Sequence, residues 1–318
     1  MNFNELESLN KLRCIGRTYQ KDNKLFINFS GSGVSINVKS SVLKVIFYTD
    51  KYMDKNSCPY ISIIIDDNRT DYALENEYSE IVIPLSDEKH SIQILKRTET
   101  SVSFAAITDI IVDEFLEIKE ECKLNIEFYG DSLTCGYGVL CNDPLTPFTT
   151  STESFLDSYA YLTAKNLNAN YSAICVSGFP IYKSRWNLGF PVESVADMIS
   201  FADYSETTTY DTANLWDNKK FIPDVVVVNL GTNDCSYFTE GQAWIDELVE
   251  KYGSFEEVLK LDKVKKELDN LEEKVISFLD SLFIIILFLQ NDFYCKGGAS
   301  PSFFCFLCNH AYASIVEI

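Results

Sequence analysis

The sequence predicts a two-domain α/β protein, with an N-terminal β-sandwich followed by a layered domain around a parallel sheet. Residues 24–114 contain short strand-like segments without a helical pattern, whereas the chain after residue 123 alternates strands with helices. The uncharged run VVVV (225–228) is typical of a strand buried on both faces of a parallel sheet. A chain of 318 residues that is 46% apolar is large enough for two such cores.

Seven strand-like segments form the first domain, which we place at residues 1–118. They are rich in Val, Ile, Phe and Tyr, and several alternate with polar residues. Turn signals such as Gly31-Ser32-Gly33 and Asp66-Asp67-Asn68 separate them. The segments are LFINFSG, VSINVKS, SVLKVIFYTD, YISIIIDD, SEIVIPLS, HSIQILKR and VSFAAITDIIVDE. This pattern predicts an antiparallel sandwich of the jelly-roll type.

The second domain, placed at residues 119–282, begins near the end of the charged stretch DEFLEIKEECK. Its predicted strands are LNIEFYG, YSAICVSG and PDVVVVNLG. Its predicted helices are ESFLDSYAYLTAKNLNA, PVESVADMISFAD and a long stretch from about 241 to 282. Strands that alternate with helices build a parallel sheet covered by helices.

The last segment, residues 283–318, differs from the rest of the chain. Its only charged residues are Asp292, Lys296 and Glu317, and it contains six Phe and three Cys. It has no clear helical period and only weak strand alternation. We therefore predict that this tail is not native coding sequence, as after a frameshift or a mis-spliced gene, and that the parallel sheet is truncated or altered at its C-terminal end.

Charge and targeting signals limit the partners. The chain has 47 acidic and 27 basic residues, which argues against nucleic acid or an anionic membrane as partner. The N-terminal sequence MNFNELESLNKLRC has no signal-peptide core, and ten irregularly spaced cysteines favour reduced thiols, so both observations favour the cytoplasm. The longest apolar run, LFIIILFL at 282–289, is too short to span a bilayer. The oligomeric state is not predictable from the sequence.

Ser132 is the candidate nucleophile. It lies in GDSLTCGYG, directly after a predicted buried strand, where Gly130 allows a sharp turn. A serine hydroxyl attacks an ester only when a base removes its proton and donors stabilise the oxyanion. The alternative, a Ser132 that merely caps the next helix, is the commoner situation for an isolated Gly-Asp-Ser.

Two further segments favour catalysis. Gly178 follows the second predicted strand and Asn233 follows the third, so both lie at strand carboxyl ends, as Ser132 does. Such ends meet at one edge of a parallel sheet, where ligands bind. The Ser132 N–H, the Gly178 N–H and Asn233 Nδ2 would then form an oxyanion hole. A turn that caps its own backbone is the alternative for Asn233-Asp234.

These segments resemble a known family. GDSLTCGYG, SG and GTND are similar to the first three motif blocks of the SGNH (GDSL-type) hydrolases. HSIQILKRTE followed by IEFYGDSLTCGYGV resembles one branch, carbohydrate esterase family 2, and the likeness covers roughly residues 12–282. The resemblance implies a jelly roll packed on an SGNH domain, and a cofactor-free acetyl esterase acting on O-acetylated sugars of plant polysaccharides or related glycosides. It implies Ser132 as nucleophile, Gly178 and Asn233 in the oxyanion hole, and structural roles for Asp131 and Asp234.

The expected catalytic base is missing. The family carries an Asp-x-x-His block, in this branch close to DWHPS, and no such string occurs here. The chain has two histidines: His90 lies on a sandwich strand, where a surface or packing role is expected, and His310 lies in the tail, where it could act as base if the tail folds over the crevice. Cys305, Cys308 and His310 are too few for a metal site, so no metal is predicted. We expect weak or no activity on p-nitrophenyl acetate.

Substrate contacts and competing functions complete the predictions. Among the aromatic residues near the motifs, which are Tyr137, Tyr182, Trp186 and Tyr237, we select Trp186 for stacking on a sugar. A short crevice favours a small acyl group. Another SGNH short-chain esterase or lipase, and a carbohydrate-binding protein with a vestigial hydrolase domain, remain as alternatives. The family resemblance also suggests an extracellular setting, in contrast to the N-terminal sequence.

Overall fold

A computed structural model describes residues 2–119, 122–143, 145–186, 189–239, 243–281 and 286–288. After the short helix α1 (Phe3–Ser8), the N-terminal part forms two antiparallel sheets. The six-stranded sheet contains β1 (Leu12–Ile15), β4 (Gly33–Lys39), β6 (Tyr60–Ile65), β7 (Asn68–Ala73), β9 (Lys89–Lys96) and β11 (Glu114–Leu116). The five-stranded sheet contains β2 (Tyr19–Lys21), β3 (Lys24–Phe26), β5 (Val42–Thr49), β8 (Tyr78–Pro84) and β10 (Ala105–Ile111).

The two antiparallel sheets share one hydrophobic core. Strand β5 alternates buried and half-buried residues, so that Val45 and Phe47 point into the core. Ile36 of β4 and Ile94 of β9 belong to the same cluster from the other sheet. A face-to-face arrangement of this kind is a β-sandwich, and the predicted fold class is confirmed.

The strand boundaries differ from the sequence prediction. Among the described residues the sandwich has eleven strands, whereas seven were predicted. Three strands were missed: β1 and β2, which precede residue 24 in the short segments LRCI and YQK, and β7, whose sequence NRTDYA is mostly polar. The predicted last strand corresponds to β10, and β11 begins at its final residue, Glu114. The pairing of β10 with β5 shifts register between Ile107 and Asp109.

The C-terminal part contains a four-stranded parallel sheet in the order β13-β12-β14-β15. Its strands are β12 (Asn125–Gly130), β13 (Asn170–Cys175), β14 (Val225–Asn229) and β15 (Ile286–Phe288). Its helices are α2 (Ser132–Cys135), α3 (Tyr159–Asn166), α4 (Thr232–Thr239), α5 (Ala243–Tyr252), α6 (Phe255–Val258) and α7 (Asp262–Ser281). The VVVV run forms β14, which lies between two other strands as its uncharged sequence predicted.

The long predicted helix of 241–282 consists of α5, α6 and α7. Helix α7 buries Leu271, Val275 and Phe278, at spacings of four and three residues that place them on one face. The Phe278 ring meets the Tyr129 ring of β12 edge to face at 5.5 Å. None of the helices in the described ranges is long and apolar enough to cross a membrane.

The predicted helix PVESVADMISFAD was wrong, because only a short 3₁₀ turn forms there, at Val195–Met198. The carbonyl oxygens of Met198, Ile199 and Phe201 accept hydrogen bonds from Nη1 of Arg17 at 3.3, 2.6 and 2.8 Å. These carbonyls therefore bind a side chain of the sandwich. These tertiary hydrogen bonds outweigh the helical preference of the local sequence.

Arg17 also binds the parallel sheet. Its Nη2 donates to Oε1 of Glu127 at 3.0 Å and to the Tyr129 hydroxyl at 3.2 Å, and Arg17 and Glu127 are both buried. Because Arg17 lies between β1 and β2, this buried ion pair fixes the sandwich against β12.

Within the predicted tail, 283–318, the described residues are 286–288. Strand β15 lies inside the segment 283–318 and pairs in parallel with β14. Residues 289–318, which include His310, Cys305 and Cys308, lie outside the described residues. The domain boundaries and the non-native origin of the tail stay predictions.

Candidate active site

The three predicted motif segments leave the same edge of the parallel sheet. Gly130 at the end of β12 pairs with Cys175 at the end of β13 and with Asn229 at the end of β14. The chain then continues for two residues to Ser132, three to Gly178 and four to Asn233. The Val176 N–H donates to the Gly130 carbonyl at 3.3 Å, which holds the first two segments together.

Ser132 is the first residue of α2 and is half-buried. The helix cap is Asp131, whose carboxylate accepts from the Leu133 N–H at 3.2 Å, so the alternative in which Ser132 caps the helix was wrong. Gly130 is required because a Cβ there would lie 1.9 Å from Oγ1 of Thr134. This close approach lets α2 begin immediately after the strand.

Gly178 has a φ of +80°, a conformation that favours glycine. The residue before it, Ser177, donates its N–H to Oε2 of Glu99 at 2.7 Å. The ring of Trp186 lies beside Gly178, because Cδ1 would be 3.9 Å from a Cβ at that position.

Asn233 connects all three segments. It is the second residue of α4, it is buried, and its Nδ2 donates to the Phe179 carbonyl at 3.0 Å and to Oδ2 of Asp131 at 3.3 Å. Phe179 follows Gly178 and Asp131 precedes Ser132, so one amide group links the neighbours of both other residues. Both N–H bonds of this amide are directed toward protein acceptors.

Two buried aspartates support the turns. Asp234 accepts from the Ile181 N–H at 3.0 Å and from the Tyr182 N–H at 2.8 Å. Burial raises the pKa of Asp234 to about 6. Burial, together with the charge of Asp234, raises the pKa of Asp131 to about 6 as well.

A buried charged cluster beside Ser177 and helix α2 was missed by sequence reasoning. We call the residues Lys96, Glu99, Cys135 and Glu153 the buried cluster; all four are at most 2% exposed. Lys96 and Glu99 lie in the HSIQILKRTE string and Cys135 lies in GDSLTCGYG, and both strings carry the family resemblance.

The buried cluster has the donor types of a metal site. One oxygen each of Glu99 and Glu153 and the sulfur of Cys135 lie within 4.8 Å of one another. The ammonium of Lys96 interacts electrostatically with both carboxylates, so a positive charge is already present among them.

His90, the histidine within the described ranges, does not lie at the predicted active site. His90 lies near the start of β9, with Nδ1 2.6 Å from Oδ2 of Asp66 and Nε2 3.0 Å from the Ser86 carbonyl. The hydrogen bond to Asp66 raises the pKa of His90. Lys96 lies at the other end of the same strand, and Glu99 follows that end. Within the described ranges no histidine lies at the motif segments.

The aromatic candidates have different surroundings. Trp186 is 50% exposed and has the Arg185 guanidinium 4.1 Å from its ring centre. Tyr137 is also half-exposed and stacks on Phe148 at 4.0 Å. Tyr182 donates its hydroxyl to Glu267 at 3.1 Å. Trp186 is thus the candidate with an exposed ring directly beside Gly178.

Two family models match the chain. Residues 14–118 match the family described as "Carbohydrate esterase 2 N-terminal". Residues 126–313 match the family described as "GDSL-like Lipase/Acylhydrolase". The second match covers more than half of the chain and extends over residues that the structure does not describe.

Known proteins show the same similarity. The cellulase/esterase CelE of Acetivibrio thermocellus is 32% identical over 213 residues, which are 66% of this chain and 24% of that protein. An acetylxylan esterase / glucomannan deacetylase of Cellvibrio japonicus is 28% identical over 237 residues, 71% of this chain and 62% of that protein. The chain therefore spans about a quarter of the length of CelE and somewhat less than two thirds of the length of the Cellvibrio japonicus protein.

A solved structure shares the fold. It is that of a family two carbohydrate esterase from Clostridium thermocellum in complex with cellohexaose. It matches with a TM-score of 0.72 at 24% identity, over 95% of this chain and 85% of that chain.

Proposed function

The chain belongs to the GDSL-like lipase/acylhydrolase family, and from this we propose that it is a serine esterase that removes acetyl groups from carbohydrates. The observation that carries the proposal is the common edge from which Ser132, Gly178 and Asn233 emerge. The match of the sandwich to the carbohydrate esterase 2 N-terminal family, and relatives named as acetylxylan esterases, support the substrate class.

The reaction begins with Ser132. Its Oγ attacks the acetyl carbonyl carbon and gives its proton to a base, and the carbonyl electron pair moves to the oxygen. The backbone N–H groups of Ser132 and Gly178 and the side-chain amide of Asn233 stabilise this oxyanion. The C–O bond to the sugar then breaks, the sugar oxygen takes the proton, and water releases acetate from Ser132 in a second, equivalent cycle.

Asn233 has to redirect one N–H to take part. Of its two hydrogen bonds, the one to Asp131 is longer, 3.3 Å against 3.0 Å for the one to Phe179. Because the two N–H bonds of a planar amide move together, a small rotation of the Asn233 side chain brings the N–H now directed at Asp131 to the oxyanion and bends, without breaking, the bond to Phe179.

His310 is the proposed base. The GDSL-like match extends to residue 313 and so includes His310, whereas His90 is bound to Asp66 and Ser86 in the sandwich. No Asp stands three residues before His310, so the imidazolium lacks the partner that this family supplies. We therefore expect a rate below that of an ordinary esterase.

The test is acetate release from acetylated xylan, run beside p-nitrophenyl acetate and a long-chain p-nitrophenyl ester. Measurable release that is lost in Ser132→Ala and in His310→Ala, with acetate preferred over the long chain, is expected. Preference for the long-chain ester would instead indicate a lipase. Binding to insoluble xylan without any acetate release would indicate a carbohydrate-binding protein.

A further inference from the structure

Residues 176–179, which follow β13, are called the Gly178 loop. We infer that Glu99, contributed by the N-terminal sandwich, is a positioning residue that holds the Gly178 loop in its oxyanion-binding conformation. The inference deepens the proposed function and rests on it only for its kinetic readout. Glu99 follows β9 in the segment 96–100, every residue of which is at most 3% exposed.

The Gly178 loop is held on both sides. Ser177 donates its N–H to Oε2 of Glu99 at 2.7 Å, and the carbonyl of Phe179 accepts from Asn233 at 3.0 Å. The Phe179 N–H closes the turn on the Val176 carbonyl at 3.2 Å. Gly178 lies between these two fixed residues, so its N–H direction depends on both contacts. A bond from N–H to a carboxylate is stronger than one to a neutral oxygen.

The same carboxylate also reaches the helix that begins at Ser132. The thiol of Cys135, the last residue of α2, lies 3.6 Å from Oε2 of Glu99. Oε2 of Glu99 thereby contacts both helix α2, which begins at Ser132, and the Gly178 loop. A shift of the sandwich relative to the sheet would move both contacts together.

Burial raises the pKa of both carboxyl groups, but the hydrogen bonds from Ser177 and Cys135 make Glu99 the more readily ionised of the two. Lys96 carries the positive charge and donates from Nζ to the carbonyls of Thr98 and Glu99 at 2.9 and 2.7 Å. Two carboxylates beside one ammonium leave an excess negative charge unless one carboxylate keeps a proton. Asp50, Tyr137 and Cys175 are further titratable groups that interact with members of this cluster.

Glu153 is the carboxyl group that keeps the proton. Its Oε2 accepts from the Glu99 N–H at 2.9 Å, whereas its buried Oε1 has no hydrogen-bond partner among the described residues. Burial and the charge of Glu99 raise the pKa of Glu153 well above its ordinary value. Glu99 has in contrast the Ser177 N–H and the Cys135 thiol directed at its carboxylate.

The experiment compares Glu99→Gln and Glu99→Ala with Glu153→Gln. Hydrogen exchange of the Ser177 amide should become about ten- to a hundredfold faster in Glu99→Ala, with a smaller increase in Glu99→Gln, which keeps one acceptor oxygen. In Glu153→Gln this exchange should stay close to the wild-type rate, because a neutral amide replaces a neutral acid. The exposed variant Glu114→Gln is the control for unchanged activity.

The kinetic readout separates positioning from binding. In Glu99→Gln, kcat for p-nitrophenyl acetate should fall about tenfold while KM changes by less than about twofold, because the donor geometry and not the substrate contacts changes. Unchanged Ser177 exchange in both Glu99 variants, or equal acceleration in Glu153→Gln, overturns the inference even in an active esterase. If Ser177 exchange is faster in the Glu99 variants but the wild-type protein has no esterase activity, the positioning role of Glu99 is supported and the proposed reaction is refuted.

Discussion

The side-chain amide of Asn233 donates a hydrogen bond to the backbone carbonyl of Phe179 over 3.0 Å. This bond connects the segment after β14 with the loop after β13, and the second N–H of the same amide reaches Asp131 beside Ser132. Asn233 is therefore both a candidate oxyanion donor and the contact that sets the distance between the other two donors.

Replacement of Asn233 by Ala should lower kcat for p-nitrophenyl acetate by about 10²- to 10³-fold, the usual effect of losing one oxyanion donor. The matched control is Asn28→Ala. Asn28 is also buried and donates from Nδ2 to Asp203 at 3.1 Å, but it lies in the sandwich. Asn28→Ala should cost stability and leave kcat close to wild type. Equal kcat losses in both variants would show a general folding effect.

Trp186→Ala should raise KM for acetylated xylan by about three- to tenfold, because it removes an aromatic surface beside Gly178. The rate constant for p-nitrophenyl acetate, which carries no sugar, should change little. Tyr78→Ala, at a similarly exposed aromatic residue on β8, is the control. If Trp186→Ala behaved like this control on xylan, Trp186 would not contact the sugar.

The sequence predicted the positions of Ser132, Gly178 and Asn233 because each follows a strand within a short local motif. It did not predict the Glu99–Ser177 contact, since nothing local to residue 99 shows which loop of the other domain it meets. The wrong helix at 191–203 has the same cause, because Arg17 is 181 residues away from the Met198 carbonyl that it binds. For this reason the sequence did not predict the contacts between the two domains.

Arg17→Met should lower the free energy of unfolding by about 3–5 kcal/mol, because it leaves Glu127 buried without its ion-pair partner. Lys44→Met, which removes the half-buried partner of the exposed Glu80, should cost no more than about 1 kcal/mol. Urea unfolding of both variants provides the comparison. A loss in Arg17→Met no larger than in Lys44→Met would mean that this pair does not join the domains.

The pKa of Asp131, raised to about 6 by burial, predicts a pH effect on stability. The folded state binds the proton more tightly than the unfolded chain, so the contribution of Asp131 is present below about pH 4 and is lost as the pH rises through about 6. The unfolding free energy of the wild type minus that of Asp131→Asn should fall by roughly 2–3 kcal/mol over this range. Parallel curves for the two proteins would contradict the raised pKa.

The most direct measurement is a crystal structure after reaction with a small alkyl phosphonate ester, whose adduct resembles the tetrahedral intermediate. The phosphonate should be bonded to Ser132 Oγ, with one oxygen at roughly 2.7–3.1 Å from the N–H groups of Ser132 and Gly178 and from Asn233 Nδ2. Absence of an adduct at Ser132, or an adduct whose oxygens all point away from residues 178 and 233, would contradict the assignment of this crevice as an esterase site.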